Sequence, residues 1–203
     1  ARGDLGIETS LTDLPNIQRK IMHACAKWGR RSIVATHLLE SMISNPTPTR
    51  AEVSDIANAI YEGADAIMLS GETSIGKYPK ECVQFLKSIA IKTEKFPTLG
   101  YEKNLISTTD WEHIGVAAKN LAEATNADGI IAITRTGNTA TYVANAKPNG
   151  IPIYTFTNNK DTYKKILGVL NSKDIRTLSI EDNGINDNDL QNLTKYESKT
   201  LEE

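Results

Sequence analysis

The first six residues of the chain, Ala1 to Gly6, place one carboxylate between two glycines. Asp4 offers hard oxygen ligands of the kind that Mg²⁺ takes, and this ion commonly uses one or two protein carboxylates with water or substrate oxygens in its other positions. An aspartate in an ordinary turn is the alternative, and the hexapeptide alone favours that alternative. The sequence therefore marks Asp4 as a candidate metal ligand that needs support from elsewhere.

Polar residues also follow two predicted strands. Thr36 comes directly after the strand at 32–35, and Ser70, Gly71, Glu72 and Thr73 follow the strand at 66–69. Functional sites of parallel α/β proteins are built at the carboxyl ends of the strands. Both segments are therefore candidates for an active site.

A third segment combines the features of a phosphate-binding loop. It follows a predicted strand and opens a helix, so it offers free backbone N–H groups, and its glycine lets the backbone approach a ligand closely. An arginine adds a fork of donors that suits phosphate. The alternative is an ordinary strand-turn-helix connection rich in threonine. The loop consists of Thr134, Arg135, Thr136, Gly137, Asn138 and Thr139.

The elements that would position these residues alternate between helical and strand patterns, which is typical of βα units with parallel strands. Thr49 to Glu52 has the pattern of a capping box, and it precedes an apolar stripe at helical spacing. In the first half we predict helices at 12–28, 49–63 and 79–96 and strands at 32–35 and 66–69.

The periodicity fades between residues 96 and 109, where a domain boundary is expected. Three predicted strands beyond it, separated by helices, favour a small doubly wound parallel sheet. These strands are 129–134, 152–156 and 175–180, and the helices lie at 111–125, at 139–146 and around 163–170. We therefore predict domains at 1–100 and 110–185, followed by a polar tail at 186–203.

The composition of the chain indicates which kinds of molecule it could bind. The chain has 203 residues, a formal net charge of -2 and 39% apolar residues, enough for a globular core. Intermixed charges disfavour nucleic-acid and anionic-membrane binding, and no apolar run approaches the length of a membrane span. The start has no signal-peptide character, so a cytoplasmic protein with small-molecule partners is expected. Cys25 and Cys82 fall on apolar helix faces without ligand spacing, which predicts reduced core thiols.

The strings ARGDLG, ATHLLESM and PTPTRAEVSDIANAIYEGADAIMLSGETSIGKYP occur in this order. In these strings and their separations the chain resembles the pyruvate kinase family, densely from residue 1 to about 96 and more loosely from 110 to 180. The resemblance implies an α/β fold: the C-terminal portion of a TIM (β/α)8 barrel, followed by a small doubly wound parallel α/β regulatory domain.

The resemblance also implies roles for single residues. Asp4 matches a ligand of Mg²⁺ or Mn²⁺, and the amides of Gly3 and Asp4 match those that receive the substrate carboxylate. Thr36 matches the threonine on the face where the enolate is protonated. Ser70 and Glu72 match the signature at the end of the eighth barrel strand, with structural hydrogen bonding as the open alternative.

Arg50 resembles an arginine near the subunit contact of the tetramer, and its alternative is a solvated surface arginine. His37 stands where the family usually has glutamine, and we interpret it as a hydrogen-bonding replacement without a catalytic role. The loop from Thr134 to Thr139 resembles the one that binds a phosphate of sugar-phosphate effectors.

The parent reaction that the resemblance implies transfers the phosphoryl group of phosphoenolpyruvate to ADP, giving pyruvate and ATP with K⁺ as a further cation. The family's catalytic lysine, second metal-binding carboxylate, monovalent-cation site and nucleotide-facing residues lie upstream of these strings and map onto nothing here. We therefore expect no turnover from this chain alone. A non-catalytic module that binds sugar phosphates for regulation or assembly is the alternative.

Overall fold

The computed structural model describes residues 2–170 and 175–179, and these form two compact units that divide after Ile106. The polar tail predicted at 186–203 lies outside the described residues. No helix in the described ranges is both long and apolar enough to cross a membrane.

The first unit alternates helices with two short strands, as the sequence patterns predict. Its two 3₁₀ turns, Glu40–Ile43 and Tyr101–Asn104, and its short helices Arg2–Glu8 and Gly71–Ser74 fall in segments where the periodicity predicted no element. The other elements are α1 (Arg2–Glu8), α2 (Leu14–Lys27), β1 (Ile33–Ala35), α3 (Arg50–Tyr61), β2 (Ala66–Met68), α4 (Gly71–Ser74) and α5 (Pro79–Thr93).

Strands β1 and β2 pair in parallel, with Ile33 opposite Ala66 and Ala35 opposite Met68. Their carboxyl ends therefore lie at the same edge of the sheet. The core beneath them includes fully buried side chains from the segment after β1, from α3 and from α5, namely Leu38, Leu39, Met42, Ile56 and Cys82.

Helix α3 begins with the predicted capping box. The Thr49 hydroxyl accepts the backbone N–H of Glu52, and the Glu52 carboxylate accepts the backbone N–H of Thr49. Two first-turn donors that would otherwise lack partners are satisfied in this way. The box confirms the predicted helix start.

The apolar stripe of α2 is less buried than its periodicity predicts. Ile21 is 47% exposed and Trp28 is 53% exposed, whereas Met22 is buried. Cys25 is half-buried, so the prediction of a core thiol holds for Cys82 and is wrong for Cys25. A periodic stripe shows that a face is apolar, but burial needs a partner surface, and these side chains lack one in the described ranges.

The second unit is a parallel three-stranded sheet with its strands in the order β3-β4-β5. Ala132 lies opposite Thr155, which lies opposite Thr177. The elements are α6 (Asp110–Thr125), β3 (Ile130–Ile133), α7 (Asn138–Asn145), β4 (Ile153–Thr157), α8 (Lys160–Leu170) and β5 (Ile175–Ser179).

The two faces of β3 differ in their exposure to solvent. Ile130 and Ala132 pack in a cluster with Ala140 and Val143 of α7, whereas the intervening Ile131 and Ile133 are 69% and 73% exposed. Successive side chains of a strand point to opposite faces, so one face of this strand is covered and the other is open.

Candidate functional site

The first candidate site lies at the turn that follows β1. Thr36 has φ 69° and His37 has φ 53°, so two consecutive residues that are not glycine occupy the left-handed region. Each such residue costs on the order of 1–3 kcal/mol, and strain of this kind clusters at functional sites. The two residues of the turn therefore adopt an unfavourable backbone conformation, which other contacts must stabilise.

The side chain of Thr36 joins this turn to the first turn of α1. Its Oγ1 accepts the backbone N–H of Gly3 at 2.9 Å and donates to the carbonyl oxygen of Ala35 at 2.7 Å. The Gly3 amide is one of the first-turn donors without a partner inside the helix. Two residues that are 33 positions apart, Gly3 and Thr36, are therefore in direct contact.

His37 lies beside the same amide. A Cβ built on Gly3 would lie 3.4 Å from His37 Nε2, and the other ring nitrogen, Nδ1, lies 3.7 Å from Glu40 Oε2. The imidazole is 61% exposed. Its place beside Gly3 suits the hydrogen-bonding role inferred from the sequence.

Arg2 also belongs to this site, although no pattern in the sequence indicates it. Its guanidinium forms an ion pair with Asp55 of α3 and also donates to the carbonyl oxygens of Thr36 and His37. Neither an arginine near the start of a chain nor an aspartate within an amphipathic helix indicates such a contact, because the pairing spans 53 positions. Tertiary structure alone brings these residues together.

Asp4 lies in the first turn of α1 and is exposed. Its carboxylate supplies one hard oxygen donor of the type that Mg²⁺ and Mn²⁺ bind. Within the described ranges no cluster of three or more His, Cys, Asp or Glu residues is arranged to hold a metal ion. Asp4 therefore offers one candidate ligand, and the described residues do not complete a set of three ligands of these types around it.

Ser70 and Glu72 lie after β2, and the Glu72 carboxylate is fully buried. Its Oε1 accepts the backbone N–H of Leu39 at 3.0 Å, and its Oε2 accepts that of Ser70 at 2.7 Å. Glu72 thus connects the segments that follow β1 and β2. Both oxygens are occupied, which supports the structural alternative for this residue.

Burial by itself raises the pKa of Glu72, because it disfavours the charged form. Backbone N–H groups, among them those of Leu39, Ser70 and Leu38, act in the opposite direction. Together these donors outweigh burial, and the pKa of Glu72 is lowered from its ordinary value. The carboxylate is therefore held as an anion.

Arg50 is the first residue of α3, and its side chain is exposed. Its guanidinium has no hydrogen-bonding partner among the residues that the structure describes. Its position is compatible with a contact to another molecule and equally with a solvated surface arginine.

The second candidate site is the loop between β3 and α7. Thr134 is buried, and its Oγ1 accepts the backbone N–H of Gly137 at 2.9 Å. Gly137 has φ 89°, a conformation that glycine adopts without strain. The loop is therefore closed on itself by a buried hydroxyl.

The four other side chains of the loop point into solvent and make no hydrogen bond within the described part of the chain. They belong to Arg135, Thr136, Asn138 and Thr139. The loop backbone is tied to α8, because Thr162 Oγ1 donates to the carbonyl of Arg135 at 2.7 Å and Lys165 Nζ donates to that of Thr136 at 3.4 Å. The loop therefore exposes hydrogen-bond donors to solvent, while its backbone is fixed by hydrogen bonds from α8.

A neighbouring loop at the same edge of the sheet was not identified from the sequence. Asn159 follows β4, and its Oδ1 accepts the backbone N–H groups of Asp161 and Thr162 at 2.9 and 3.0 Å. An asparagine directly before a helical pattern is the signal that indicates this cap. Lys165 was also missed, and it adds a second cation beside the Thr136 carbonyl.

Comparison with protein families matches both units. The family model of the pyruvate kinase barrel domain matches residues 1–83, and that of the pyruvate kinase alpha/beta domain matches residues 112–196. These matches agree with the parallel strands of both units. They confirm the predicted fold class, a TIM-barrel portion followed by an α/β domain.

Individual pyruvate kinases are also similar to this chain in sequence and in structure. A pyruvate kinase of Chlamydia trachomatis is 42% identical over 173 residues, which are 82% of this chain and 36% of the relative. One of Thermotoga maritima is 40% identical over 195 residues, covering 91% of this chain and 41% of the relative. The solved pyruvate kinase of Cryptosporidium parvum superposes with a TM-score of 0.84 at 30% identity, over 98% of this chain and 41% of that one.

The chain thus spans 36% to 41% of the length of these relatives. The matched region holds the segments that carry both candidate sites, and the relatives are named pyruvate kinases. From the two family models, the relatives and the superposition together, the chain belongs to the pyruvate kinase family and corresponds to the end of its barrel domain and to its α/β domain.

Proposed function

We propose that this chain provides part of the substrate side of a pyruvate kinase active site. The whole enzyme would transfer the phosphoryl group of phosphoenolpyruvate to ADP, giving pyruvate and ATP in the last step of glycolysis. The observation that carries the proposal is the contact between Gly3 and Thr36, since it joins the first turn of α1 to the carboxyl end of β1. Barrel active sites are built at such strand ends.

In this proposal the first turn of α1 presents backbone donors to the substrate carboxylate. The Asp4 amide has no acceptor within the described part of the chain and is available, whereas the Gly3 amide already donates to Thr36 Oγ1. The Thr36 hydroxyl donates to the carbonyl oxygen of Ala35, so Oγ1, which already accepts the Gly3 N–H, keeps one lone pair with which it could accept from a ligand. Thr36 would then orient the group or water that delivers a proton to the methylene carbon.

Asp4 would supply a ligand to Mg²⁺ or Mn²⁺, and K⁺ would serve as a further cation of the whole enzyme. When bound, such cations neutralise charge on the transferring phosphoryl group. The residues of this chain would meanwhile bind the carboxylate and hold Thr36. Ser70 and Glu72 would support the site through the backbone of the two strand ends.

Metal binding at Asp4 can be tested directly. Paramagnetic Mn²⁺ titrated into the chain should broaden the NMR signals of residues in α1, and Asp4→Asn should remove the effect. Asp13→Asn is the matched control, because Asp13 is also exposed and caps nothing with its side chain. Broadening that survives Asp4→Asn would rule out this ligand.

The 203-residue chain alone should show no turnover. Phosphoryl transfer depends on positioning and on cations around the transferring group, and the family's catalytic lysine and second carboxylate match no position here. A coupled assay with phosphoenolpyruvate and ADP measures this. Appreciable ADP-dependent pyruvate formation would refute it.

A second function is favoured by the loop between β3 and α7. Exposed donors on Arg135, Thr136, Asn138 and Thr139 surround the start of α7, which suits a phosphate group. We propose that this loop, with Thr134 and Gly137 shaping it, binds the phosphate of a sugar-phosphate effector. The chain would then act as a regulatory module whether or not it supports catalysis.

Calorimetric titration with a sugar phosphate and with inorganic phosphate tests this second function. Arg135→Ala should weaken binding at least several-fold because it removes a charge-assisted contact. Arg30→Ala, another exposed arginine, serves as the control and should leave binding unchanged. Binding that is insensitive to Arg135→Ala would place the anion elsewhere.

We also propose that the whole enzyme is a cytoplasmic homo-oligomer, a tetramer as in its family, with Arg50 at a subunit contact. The exposure of Arg50 at the start of α3 supports this. The sedimentation coefficient of the whole enzyme and of its Arg50→Ala variant would test it. A tetramer unaffected by Arg50→Ala would exclude that contact.

A further inference from the structure

The turn after β1 needs an explanation, because two consecutive residues other than glycine have positive φ, 69° at Thr36 and 53° at His37. A β-branched residue is an outlier in this region, since its Cβ crowds the neighbouring carbonyl oxygen. Such a conformation persists only where surrounding contacts over-determine it. Side chains around the turn must therefore stabilise it.

Arg2 makes those contacts. Its Nη2 donates to the Thr36 carbonyl oxygen at 2.6 Å and to the His37 carbonyl oxygen at 3.3 Å, so one guanidinium nitrogen spans both left-handed residues. The Arg2 side chain is only 13% exposed, which limits competition from water. Charge-assisted hydrogen bonds of this kind are stronger than neutral ones.

Asp55 in turn fixes the guanidinium. Its Oδ2 accepts from Arg2 Nη1, the nitrogen that does not contact the turn. Asp55 lies in the middle of α3, directly before Ile56, whose side chain is fully buried in the core. Because α3 is fixed by its packing in the core, Asp55 has a fixed position. Asp55 in turn holds the Arg2 guanidinium against the carbonyl oxygens of Thr36 and His37.

We infer that Asp55 and Arg2 are positioning residues, which hold the Thr36–His37 turn left-handed and so keep Thr36 Oγ1 on the Gly3 amide. Both act through the turn, and neither needs to touch a substrate. The importance of this clamp for chemistry rests on the proposed function of Thr36. The clamp itself consists only of protein groups, so it can be tested without any ligand.

The test compares Asp55→Asn with the parent chain by NMR. A positive φ brings Hα and the amide hydrogen of one residue close together, so the intraresidue cross-peaks of Thr36 and His37 should be strong in the parent and weak in Asp55→Asn. Hydrogen exchange at the Gly3 amide should accelerate roughly tenfold as its acceptor moves away. The matched control, Asp13→Asn, should change neither signal.

A second variant separates positioning from general stability. Glycine occupies positive φ freely, so adding His37→Gly to Asp55→Asn should restore the protection of the Gly3 amide. Unchanged cross-peaks in Asp55→Asn, or protection that His37→Gly does not restore, would overturn the clamp. If Asp55→Asn unfolds the first unit, Arg2→Lys takes its place, because lysine keeps the charge without the fork.

The outcome is distinguishable from that of the proposed function. An intact turn with no Mn²⁺ effect at Asp4 would count against the metal role and leave the clamp standing. A turn that relaxes in Asp55→Asn while Mn²⁺ still broadens α1 would support the clamp independently.

Discussion

Single residues of this chain show how a charge can be buried at a candidate site without being reactive. Glu72 is fully buried, yet backbone N–H groups from Leu39 and Ser70 occupy its two oxygens. A catalytic acid or base needs a free oxygen and a pKa near the working pH. The lowered pKa of Glu72 and its full set of donors instead suit an anchor between two strand ends.

Glu72→Gln should lower the free energy of unfolding by about 2–3 kcal/mol, the scale of hydrogen bonds to a charged group. The amide presents its NH₂ to one backbone donor and leaves that donor unpaired. Urea denaturation followed by circular dichroism measures the change. A loss below a few tenths of a kcal/mol would contradict the anchoring role.

The same variant makes a prediction about pH. The pKa of Glu72 is lower in the folded chain than its ordinary value of 4.5, so the folded state binds fewer protons than the unfolded state in acid. The contribution of the lowered pKa of Glu72 to the free energy of unfolding is therefore complete well above pH 4.5. This contribution is lost as the pH falls through the pKa of Glu72 in the folded chain. Glu72→Gln should flatten this acid dependence in part, because the pKa of Glu52 is also lowered. An acid profile identical to the parent's would contradict the assignment.

At the scale of elements, close approach of two helices depends on one missing side chain. A Cβ on Gly115 of α6 would lie 2.8 Å from the backbone carbonyl carbon and oxygen of Tyr142 in α7. These are backbone atoms, which cannot rotate away as a side chain can. Gly115 therefore sets the distance between α6 and α7.

Gly115→Ala places two effects in opposition. Alanine favours the helix by about 1 kcal/mol relative to glycine, whereas overpacking against a fixed backbone costs about 1–3 kcal/mol. We expect net destabilisation of the second unit by thermal or urea unfolding. The control is Gly6→Ala in α1, where the nearest atom is the tip of a leucine side chain, and a stabilised Gly115→Ala would show that the helices separate freely.

At the scale of the whole molecule, the two-stranded sheet of the first unit presents exposed apolar side chains on both strands. Ile33 of β1 is 62% exposed and Met68 of β2 is 47% exposed. Within the described ranges β1 pairs only with β2, so both strands keep an unpaired edge. Exposed apolar strands with open edges promote association.

The chain should therefore self-associate as its concentration rises, as sedimentation velocity can measure. The double variant Ile33→Lys with Met68→Lys should shift the distribution toward the monomer, because charges on an open strand oppose pairing. Arg135→Ala, an exposed change in the second unit, leaves this sheet intact and should not reduce the association. A monomer at all concentrations would contradict the prediction.

The local features of this protein follow from residues that are close together along the chain. Periodicity placed most helices and strands, and the Thr49–Glu52 box fixed the start of α3, because caps and amphipathic spacing act between residues close along the chain. The glycine and donors of the Thr134–Thr139 loop were recognisable for the same reason.

Contacts between residues far apart in the chain become visible only in the folded structure. The left-handed Thr36–His37 turn, the Arg2–Asp55 ion pair and the anchoring of Glu72 each join segments separated by tens of residues. Likewise, the exposure of Ile21 and Trp28 follows from what packs against α2 and not from the pattern of α2 itself. Packing and long-range hydrogen bonds depend on residues that are distant in the chain, and the local spacing of residue types does not indicate which of them will be in contact.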